Sequence, residues 1–407
     1  MRVWILFLLS TALLGAQPLP MSTPEKEGLS PERLGRLHAR FQEMVDTGAR
    51  AGAVTLVVRN GRIADWKAFG YRDVARMLPM ERDTICRIWS MTKVISSVAA
   101  MMLIEEGKMT LADPVHKYIP ELKSMRVLRG GTADQPDLVD ATRPITVKHL
   151  LTHTSGLTYS WGNDPVPELY RRSKIFEVAN LKEFLGKVSK LPLIAQPGEK
   201  YNYGINTDVL GYLVEVVSGM PFDRFVQTRI VTPLQMTDTH FVIPEAKRAR
   251  VARTYAVKDG KLAEFAMEEL QSTPTVPFGG MGLYSTAGDY ARFGQMLLNQ
   301  GQLDGVRLLS RKTVELMTAN HLNGLKTPFI DSRQAYGFGL GGSVRVNVAN
   351  AAIPGSLGQF GWDGAASTYF RMDPKEKTVS ILFQQYMPFD QASLELFSTL
   401  VYQAIVD

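Results

Sequence analysis

Apolar and polar residues alternate near both ends of the chain, in the pattern that is typical of paired β-strands. Residues 53–58 alternate up to Asn60 and Gly61, and a second strand-like run at residues 63–69 follows. Because both residues of an Asn-Gly turn readily take a positive φ, this stretch predicts a β-hairpin. The same reasoning predicts more β-structure near the C-terminus: a hairpin with strands at 367–372 and 378–384 around a turn at 373–376, and one further strand at 336–348.

Between these β-rich ends the apolar residues mostly follow helical spacing. Helices are predicted at residues 90–106, 209–218, 289–299 and 391–405, and the first three end beside a glycine. This order predicts an α/β fold of the α+β type, with one antiparallel sheet built from both termini, flanking helices and an inserted helical lobe. We place the sheet lobe at about 18–100 and 290–407 and the helical lobe at about 101–289. Loops 130–137 and 161–167 are candidate rims of the cleft between them.

The N-terminus has the pattern of a secretory signal peptide. Arg2 precedes an apolar run at residues 3–14, and small residues at 15–17 provide a plausible cleavage site. The run is too short to span a bilayer as a helix. The alternative is a buried N-terminal helix. We expect residues 1–17 to be removed and residues 18–407 to be exported to the periplasm or the exterior, with no membrane segment left.

The charge and the cysteine content of the chain exclude only a few classes of function. The chain has 46 Lys and Arg against 40 Asp and Glu, a formal net charge of +6, and a sequence pI of about 9.2. The basic residues are scattered among acidic ones, so nothing indicates nucleic-acid recognition. Cys86 is the single cysteine, which excludes an intramolecular disulfide, and a lone cysteine is usually a small buried hydrophobe rather than a catalytic thiol.

The first chemical signal is the sequence Ser-Met-Thr-Lys at residues 90–93, where a helix is predicted to begin. Residues three apart on a helix share a face, so the Ser90 hydroxyl and the Lys93 amine can meet. A serine nucleophile needs a nearby base, and burial or a helix N-terminus lowers the pKa of a lysine toward that role. The helix start also offers the Ser90 backbone N–H to a developing oxyanion. The alternative is a helix-capping serine followed by a surface lysine.

Three further segments occur in a characteristic order. Residues 149–157 read His-Leu-Leu-Thr-His-Thr-Ser-Gly-Leu, residues 197–203 read Pro-Gly-Glu-Lys-Tyr-Asn-Tyr, and residues 278–286 read Phe-Gly-Gly-Met-Gly-Leu-Tyr-Ser-Thr. With Ser90 and Lys93 they resemble the motifs of serine β-lactamases, penicillin-binding proteins and family VIII esterases. The resemblance implies a β-lactamase/DD-peptidase-like fold for residues 18–407. It also implies that Tyr203 takes the Ser90 proton together with Lys93, and which of the two holds the proton at rest stays open.

The family's third motif is Lys-Thr-Gly on a strand beside the nucleophile. Its best match here is Trp362-Asp363-Gly364. By this resemblance, the backbone N–H of Ala365 is the second oxyanion donor beside that of Ser90. A glycine fits the motif because backbone must approach the substrate closely. The alternative for Trp362 is simple core packing.

Two departures from the family pattern bear on the substrate. Trp362 and Asp363 replace a lysine and a threonine that help to bind a β-lactam carboxylate, and Ile205 replaces the asparagine of the family's Tyr-x-Asn motif. Groups suited to an anionic, amide-bearing ligand are thus exchanged for groups better suited to a neutral acyl chain. This pattern resembles the family VIII carboxylesterases.

Other classes of site find less support in the sequence. No serine lies in a Gly-x-Ser-x-Gly elbow, and no H-E-x-x-H or P-loop occurs, so we expect neither metal nor cofactor. His149 and His153 are better explained by hydrogen bonds within the fold. The sequence therefore predicts a serine hydrolase that acts on small-molecule esters with short acyl chains. The alternatives are a β-lactamase, a D-alanyl-D-alanine carboxypeptidase and a non-catalytic penicillin-binding-like protein, and the oligomeric state is left open.

Overall fold

The computed structural model describes residues 18–265, 276–322, 324–325 and 334–407. The signal peptide predicted at residues 1–17 lies outside the described residues, so its presence and removal stay predictions. Within the described ranges, no helix is long and apolar enough to cross a bilayer.

The described residues form a mixed α/β structure. Its helices are α1 (Pro31–Asp46), α2 (Thr92–Glu105), α3 (Val147–Leu151), α4 (Pro165–Arg172), α5 (Leu181–Val188), α6 (Asn206–Ser218), α7 (Phe222–Val226), α8 (Ala287–Leu298), α9 (Arg311–Thr318) and α10 (Gln391–Tyr402). Its strands are β1 (Gly52–Arg59), β2 (Arg62–Asp73), β3 (Leu78–Pro79), β4 (Cys86–Arg87), β5 (Arg126–Gly131), β6 (Pro136–Asp140), β7 (Tyr255–Lys258), β8 (Lys261–Glu264), β9 (Tyr284–Ser285), β10 (Gln302–Leu303), β11 (Val306–Arg307), β12 (Tyr336–Phe338), β13 (Ser343–Arg345), β14 (Phe360–Gly361), β15 (Tyr369–Asp373) and β16 (Thr378–Gln384).

One antiparallel sheet joins the two ends of the chain. Its strand order is β12-β13-β14-β15-β16-β1-β2-β3, so the N-terminal and C-terminal strands meet where β1 pairs with β16. The predicted hairpins are confirmed as β1–β2 and β15–β16. In the first of them, Asn60 and Gly61 take φ values of 51° and 78°, as the turn requires. The predicted α/β fold class, with one antiparallel sheet built from both termini, is confirmed.

The single strand predicted at residues 336–348 is wrong in detail. The structure has two short antiparallel strands there, β12 and β13. Glycines in the connecting turn cause the reversal: Gly339 N–H donates to the Gly342 carbonyl at 2.7 Å, and Gly341 has a φ of 103°. A residue with a side chain rarely adopts that φ. Residues 339–342 read Gly-Leu-Gly-Gly, which is a turn signal that the prediction of one continuous strand overlooked.

Helices cover both faces of the sheet because side chains alternate along β1. Val57 belongs to a hydrophobic cluster with residues of α1 and α10, whereas Leu56 belongs to the larger cluster that contains α2 and α8. α1 begins where Ser30 accepts a hydrogen bond from Arg33 N–H, and Pro31 occupies the first helical position. The functional site lies on the α2 side of the sheet.

Helix α2 is buried over most of its length, which explains its nearly continuous apolar sequence. The prediction that the helix begins at Ser90 is wrong by two residues. Trp89 has a φ of 47°, which an α-helix does not accommodate, and residues Trp89–Met91 form a 3₁₀ turn before α2. The C-terminal helix likewise ends earlier than predicted, at Tyr402.

The segment at residues 101–289, predicted as a helical lobe, contains α3 to α7. It also contains the hairpins β5–β6 and β7–β8, which were not predicted. The candidate rim loop at 130–137 is part of the β5–β6 hairpin. The division into a sheet lobe and a helical lobe, with the stated boundaries, stays a prediction.

Candidate active site

The three predicted catalytic side chains meet at the start of α2. Ser90 is half-buried, and its Oγ accepts a hydrogen bond from Lys93 Nζ at 3.2 Å. The Tyr203 hydroxyl donates to the same Oγ at 2.8 Å. Ser90 is thus within hydrogen-bond reach of two groups that can exchange its proton.

Lys93 is wholly buried, so the alternative of a surface lysine is wrong. Its Nζ donates three hydrogen bonds: to Ser90 Oγ, to Tyr159 OH at 2.9 Å and to the Gly280 carbonyl at 2.7 Å. An ammonium has three N–H donors, and all three are accounted for. The third segment of the family resemblance, residues 278–286, therefore supplies an acceptor for Lys93.

Tyr203 is fixed by contacts between two of the motif segments. The Asn202 backbone N–H donates to the His153 carbonyl at 2.7 Å, and the Asn202 side chain donates to the Leu157 carbonyl at 3.0 Å. The Tyr203 ring lies 4.8 Å from the His153 ring and 5.3 Å from the Trp362 ring, centroid to centroid. These contacts orient the hydroxyl toward Ser90.

Both histidines bond within the fold, as predicted. His149 Nδ1 accepts from the Thr146 N–H at 3.2 Å, and burial lowers the pKa of His149 to about 4. His153 Nδ1 accepts from the Gly204 N–H at 3.3 Å and contacts the Asn206 amide at 3.1 Å. Burial, and then the positive charge of Lys93, hold the pKa of His153 well below its usual value. His153 is therefore neutral, and it orders the backbone next to Tyr203 rather than titrating.

Trp362 does more than pack in the core. Its ring is nearly buried and lies 5.2 Å from the Phe338 ring at an angle of 84°. Its Nε1–H donates to the Tyr203 hydroxyl oxygen at 3.1 Å. Trp362 is thus connected to Ser90 through Tyr203, which the sequence did not predict.

A glycine is needed at position 364 for a different reason from the one expected. Its N–H donates to the Thr368 carbonyl at 2.9 Å, and an added Cβ would lie 2.4 Å from the Ile88 carbonyl oxygen and 2.1 Å from Thr368 Oγ1. The close approach is therefore to the protein itself. It places the segment with Ala365 beside the turn that carries Ser90.

The two predicted oxyanion donors have no competing acceptors nearby. In the part of the chain that the structure describes, neither the Ser90 N–H nor the Ala365 N–H donates a hydrogen bond to protein. Ala365 is also partly exposed. Both groups are therefore available to a ligand, and their role as an oxyanion hole stays a proposal.

The two departures from the family pattern differ in their surroundings. Asp363 forms a paired hydrogen bond with Arg371, with Nη1 to Oδ1 at 2.6 Å and Nη2 to Oδ2 at 2.8 Å. Both charges are largely buried and compensate each other. Ile205 is fully buried in the core, so it presents no apolar surface to a substrate. Its replacement of asparagine removes an amide, but the expectation that it favours an acyl chain directly is wrong.

Two aromatic residues of the site were missed in the sequence. Tyr159 is nearly buried and accepts the second Lys93 hydrogen bond. Trp161, in the predicted rim loop 161–167, stacks on Tyr159 at a centroid distance of 4.4 Å and is 59% exposed. The proximity of Tyr159 to the 149–157 segment was the available signal. An isolated tyrosine outside a motif is more often a packed ring, so this signal was weak.

Comparisons with known proteins agree with this geometry. A family model described as Beta-lactamase matches residues 37–400. Protein Rv1367c of Mycobacterium tuberculosis is 36% identical over 363 residues, which cover 86% of this chain and 89% of that protein. Esterase EstB of Burkholderia gladioli is 32% identical over 279 residues, which cover 63% of this chain and 68% of that esterase.

Solved structures share the fold. Simvastatin synthase (LovD) from Aspergillus terreus has a TM-score of 0.79 and 26% sequence identity, covering 92% of this chain and 98% of that one. The predicted resemblance and the predicted β-lactamase-like fold are thereby confirmed. The relatives include an esterase and an acyl-transferring enzyme, so hydrolysis and acyl transfer are the chemistries of this group. The chain belongs to the beta-lactamase family.

Proposed function

We propose that this chain is a serine carboxylesterase, of the kind classed as family VIII, that cleaves neutral esters with short acyl chains through an acyl-enzyme on Ser90. The observation that carries the proposal is the pair of hydrogen bonds to Ser90 Oγ, from Lys93 Nζ at 3.2 Å and Tyr203 OH at 2.8 Å. A serine hydroxyl needs such a partner to attack a carbonyl carbon. A protein that only binds penicillin-like ligands would not need all three groups, which argues against the non-catalytic alternative.

The neighbouring groups suit each step of the proposed reaction. As Ser90 Oγ attacks the ester carbonyl carbon, its one proton passes to whichever of Lys93 and Tyr203 is deprotonated in the reacting state. The Trp362 Nε1–H stabilises negative charge on the Tyr203 oxygen, and the N–H groups of Ser90 and Ala365 stabilise the oxyanion. The same group gives that proton to the leaving alkoxide, which departs as the alcohol. Water then attacks the acyl carbon while this group takes a proton from it and returns one to Ser90 Oγ, and the acid is released.

The choice of a neutral ester rests on the third motif. Trp362 presents an indole where β-lactamases present a lysine, and the Arg371 guanidinium is bound by Asp363. A substrate carboxylate would therefore find less positive charge at this motif than in a β-lactamase. The same argument disfavours a D-alanyl-D-alanine carboxypeptidase, whose substrate ends in a carboxylate.

Acyl transfer to an alcohol is a second candidate. It is favoured by the likeness to simvastatin synthase and to monacolin J acid methylbutanoyltransferase of Aspergillus terreus, which is 28% identical over 386 residues. The chemistry differs from hydrolysis only in the group that attacks the acyl-enzyme. The rings of Tyr159, Trp161 and Trp362 lie 5.6, 6.2 and 5.3 Å from the ring of Tyr203, whose hydroxyl contacts Ser90. An aromatic surface beside the acyl group would favour an organic acceptor over water.

An exported location remains part of the proposal. It rests on Arg2 and on the apolar run at residues 3–14. N-terminal sequencing of protein recovered from the periplasm or the medium tests it: a chain beginning after residue 17 supports export, and an intact N-terminus on cytoplasmic protein contradicts it.

The proposed function is tested by parallel rate assays on p-nitrophenyl butyrate and nitrocefin. We expect fast ester turnover and slow or absent nitrocefin hydrolysis. Ser90→Ala should lower ester turnover by about 10⁴-fold or more, as nucleophile removal does in serine hydrolases. Ser97→Ala, which removes a buried α2 hydroxyl that makes no hydrogen bond within the described residues, should retain activity.

Each other outcome has a definite meaning. Dominant nitrocefin hydrolysis would show that Trp362 and Asp363 do not exclude β-lactams, and the chain would then be a β-lactamase. Near-normal esterase activity of Ser90→Ala would overturn the assignment of the nucleophile. Formation of a butyrate ester when a small alcohol is added, at the expense of free acid, would favour the acyltransferase.

A further inference from the structure

A buried carboxylate lies behind Lys93 and has no part in the mechanism given above. Asp208 is the third residue of α6 and is wholly buried. Its Oδ1 accepts a hydrogen bond from the Gly280 N–H at 2.8 Å. Its Oδ2 is buried and has no hydrogen-bond partner in the part of the chain that the structure describes. Such a group is costly to bury, so a compensating interaction is expected.

The compensating group is Lys93, one glycine residue away. Gly280 donates its N–H to Asp208 and accepts from Lys93 Nζ on its own carbonyl oxygen at 2.7 Å. A side chain at position 280 is excluded, because an added Cβ would lie 2.5 Å from Asp208 Oδ2. The loop around Gly280 thus joins the carboxylate on α6 to the ammonium on α2.

We propose that Asp208 is a positioning residue for Lys93: its negative charge, acting across Gly280, stabilises the lysine as a cation and holds the Gly280 carbonyl on Nζ. The inference rests on the proposed function. Lys93 can accept the Ser90 proton only if the resulting ammonium is stabilised in a fully buried place. Asp208 supplies the opposite charge without occupying any of the three hydrogen-bonding directions of Nζ.

The titratable groups around the pair are few. Lys93 comes from α2, His153 and Tyr159 from the loop after α3, and Tyr203 from the segment before α6. His153 is neutral, and burial raises the pKa of Tyr159 well above its usual value. Burial raises the pKa of Asp208 to about 6, and the charge of Lys93 opposes that rise. The charges of Lys93 and Asp208 therefore support each other.

The test is the pH profile of kcat/KM for p-nitrophenyl butyrate with Asp208→Asn. Asparagine keeps the size and a carbonyl oxygen for the Gly280 N–H, but it removes the charge. Loss of a nearby negative charge lowers the pKa of a lysine, so the limb of the profile that reports Lys93 should move to lower pH by about one unit. The other limb should stay in place. If the moving limb is the acidic one, Lys93 acts as the neutral base, and if it is the alkaline one, Lys93 acts as the cation.

A matched control separates the charge from the packing. Ser96→Ala removes the hydrogen bond from Ser96 Oγ to the Gly279 carbonyl, at 2.7 Å, which holds the same loop to α2. This variant should keep both limbs where they are. If Asp208→Asn does not fold, Asp208→Ser also removes the charge and leaves room for water beside the Gly280 N–H.

The outcomes are distinct. A limb that moves in the Asp208 variant and not in Ser96→Ala supports the proposal. Lower activity with both limbs in place, or equal effects of the two variants, would overturn it and leave Asp208 a structural role. Failure of the proposed function would instead appear as an active Ser90→Ala enzyme, whatever Asp208→Asn does.

Discussion

At Lys93, the cost of burying a lysine side chain is offset by hydrogen bonds and by a nearby opposite charge. An ammonium in a dry interior is costly unless its donors and its charge are both compensated. Its three hydrogen bonds go to oxygen atoms of Ser90, Tyr159 and Gly280, and the Asp208 carboxylate lies behind Gly280. In the proposed mechanism, the proton of Ser90 would therefore be transferred within a network that is already ordered before a substrate binds, as electrostatic preorganisation requires.

Trp362→Phe tests the hydrogen bond to Tyr203 with little change in shape. Phenylalanine keeps an aromatic ring against Phe338 but cannot donate to the Tyr203 oxygen, which now receives the indole N–H at 3.1 Å. We expect kcat on p-nitrophenyl butyrate to fall about tenfold, the equivalent of about 1.4 kcal/mol, with a smaller change in KM. Steady-state kinetics of both proteins measure this. An unchanged kcat would mean that Trp362 is only a packed ring.

The proposed catalytic residues differ in how far the sequence could predict them. Ser90 and Lys93 are three residues apart, so their proximity follows from local helical geometry. Tyr203 is 113 residues from Ser90, and its role was predicted only from the family resemblance. Asp208 and Tyr159 belong to no motif, and their contacts with the Lys93 environment exist only once distant segments have packed.

At the level of elements, Gly364 fixes the turn that contains Ala365, between β14 and β15, against the turn that carries Ser90. We expect Gly364→Ala to lower the free energy of unfolding by about 1–3 kcal/mol, because the new methyl group would overlap the Ile88 carbonyl and Thr368 Oγ1. Ester hydrolysis should fall with it, because the Ser90 and Ala365 N–H groups would be displaced. Denaturant unfolding and turnover together measure both effects.

Gly35→Ala is the matched control for this change. Gly35 lies inside α1, where an added Cβ meets no atom within 4 Å. Alanine favours a helix over glycine, so stability should rise by up to about 1 kcal/mol with no change in activity. If Gly364→Ala behaves like Gly35→Ala, the close contact with Ile88 is not important for the site.

Elements with a strong local signal were predicted well, and those shaped by their neighbours were not. The β1–β2 hairpin follows from Asn60 and Gly61, which need no tertiary contact to turn the chain. Trp89 takes a positive φ immediately before Ser90, and a tryptophan gives no hint of that conformation in the sequence. The turn between β12 and β13 is an exception, because its three glycines are a local signal that the prediction of one strand did not use.

On the scale of the whole molecule, the site draws on three distant parts of the chain. Ser90 and Lys93 come from the N-terminal part, Tyr203 from the middle, and Trp362 from the C-terminal part. Because β1 pairs with β16, the strands that precede Ser90 in the chain share one sheet with β14 and β15, which flank Trp362 in the chain. The sequence order of strands and helices was enough to predict that both termini share this sheet. It was not enough to predict the shape of the site, because that shape depends on loops, and the cleft between the two lobes stays a prediction.

The central claim, that Ser90 is the nucleophile of a serine hydrolase, is tested most directly by covalent labelling. The folded protein is treated with a fluorophosphonate probe, digested, and analysed by mass spectrometry while residual ester hydrolysis is followed. The account predicts one modification, on the peptide that contains Ser90, with loss of activity in proportion to labelling and no label on Ser90→Ala. Absence of label on folded protein, or a label on another serine that accompanies inactivation, would contradict it.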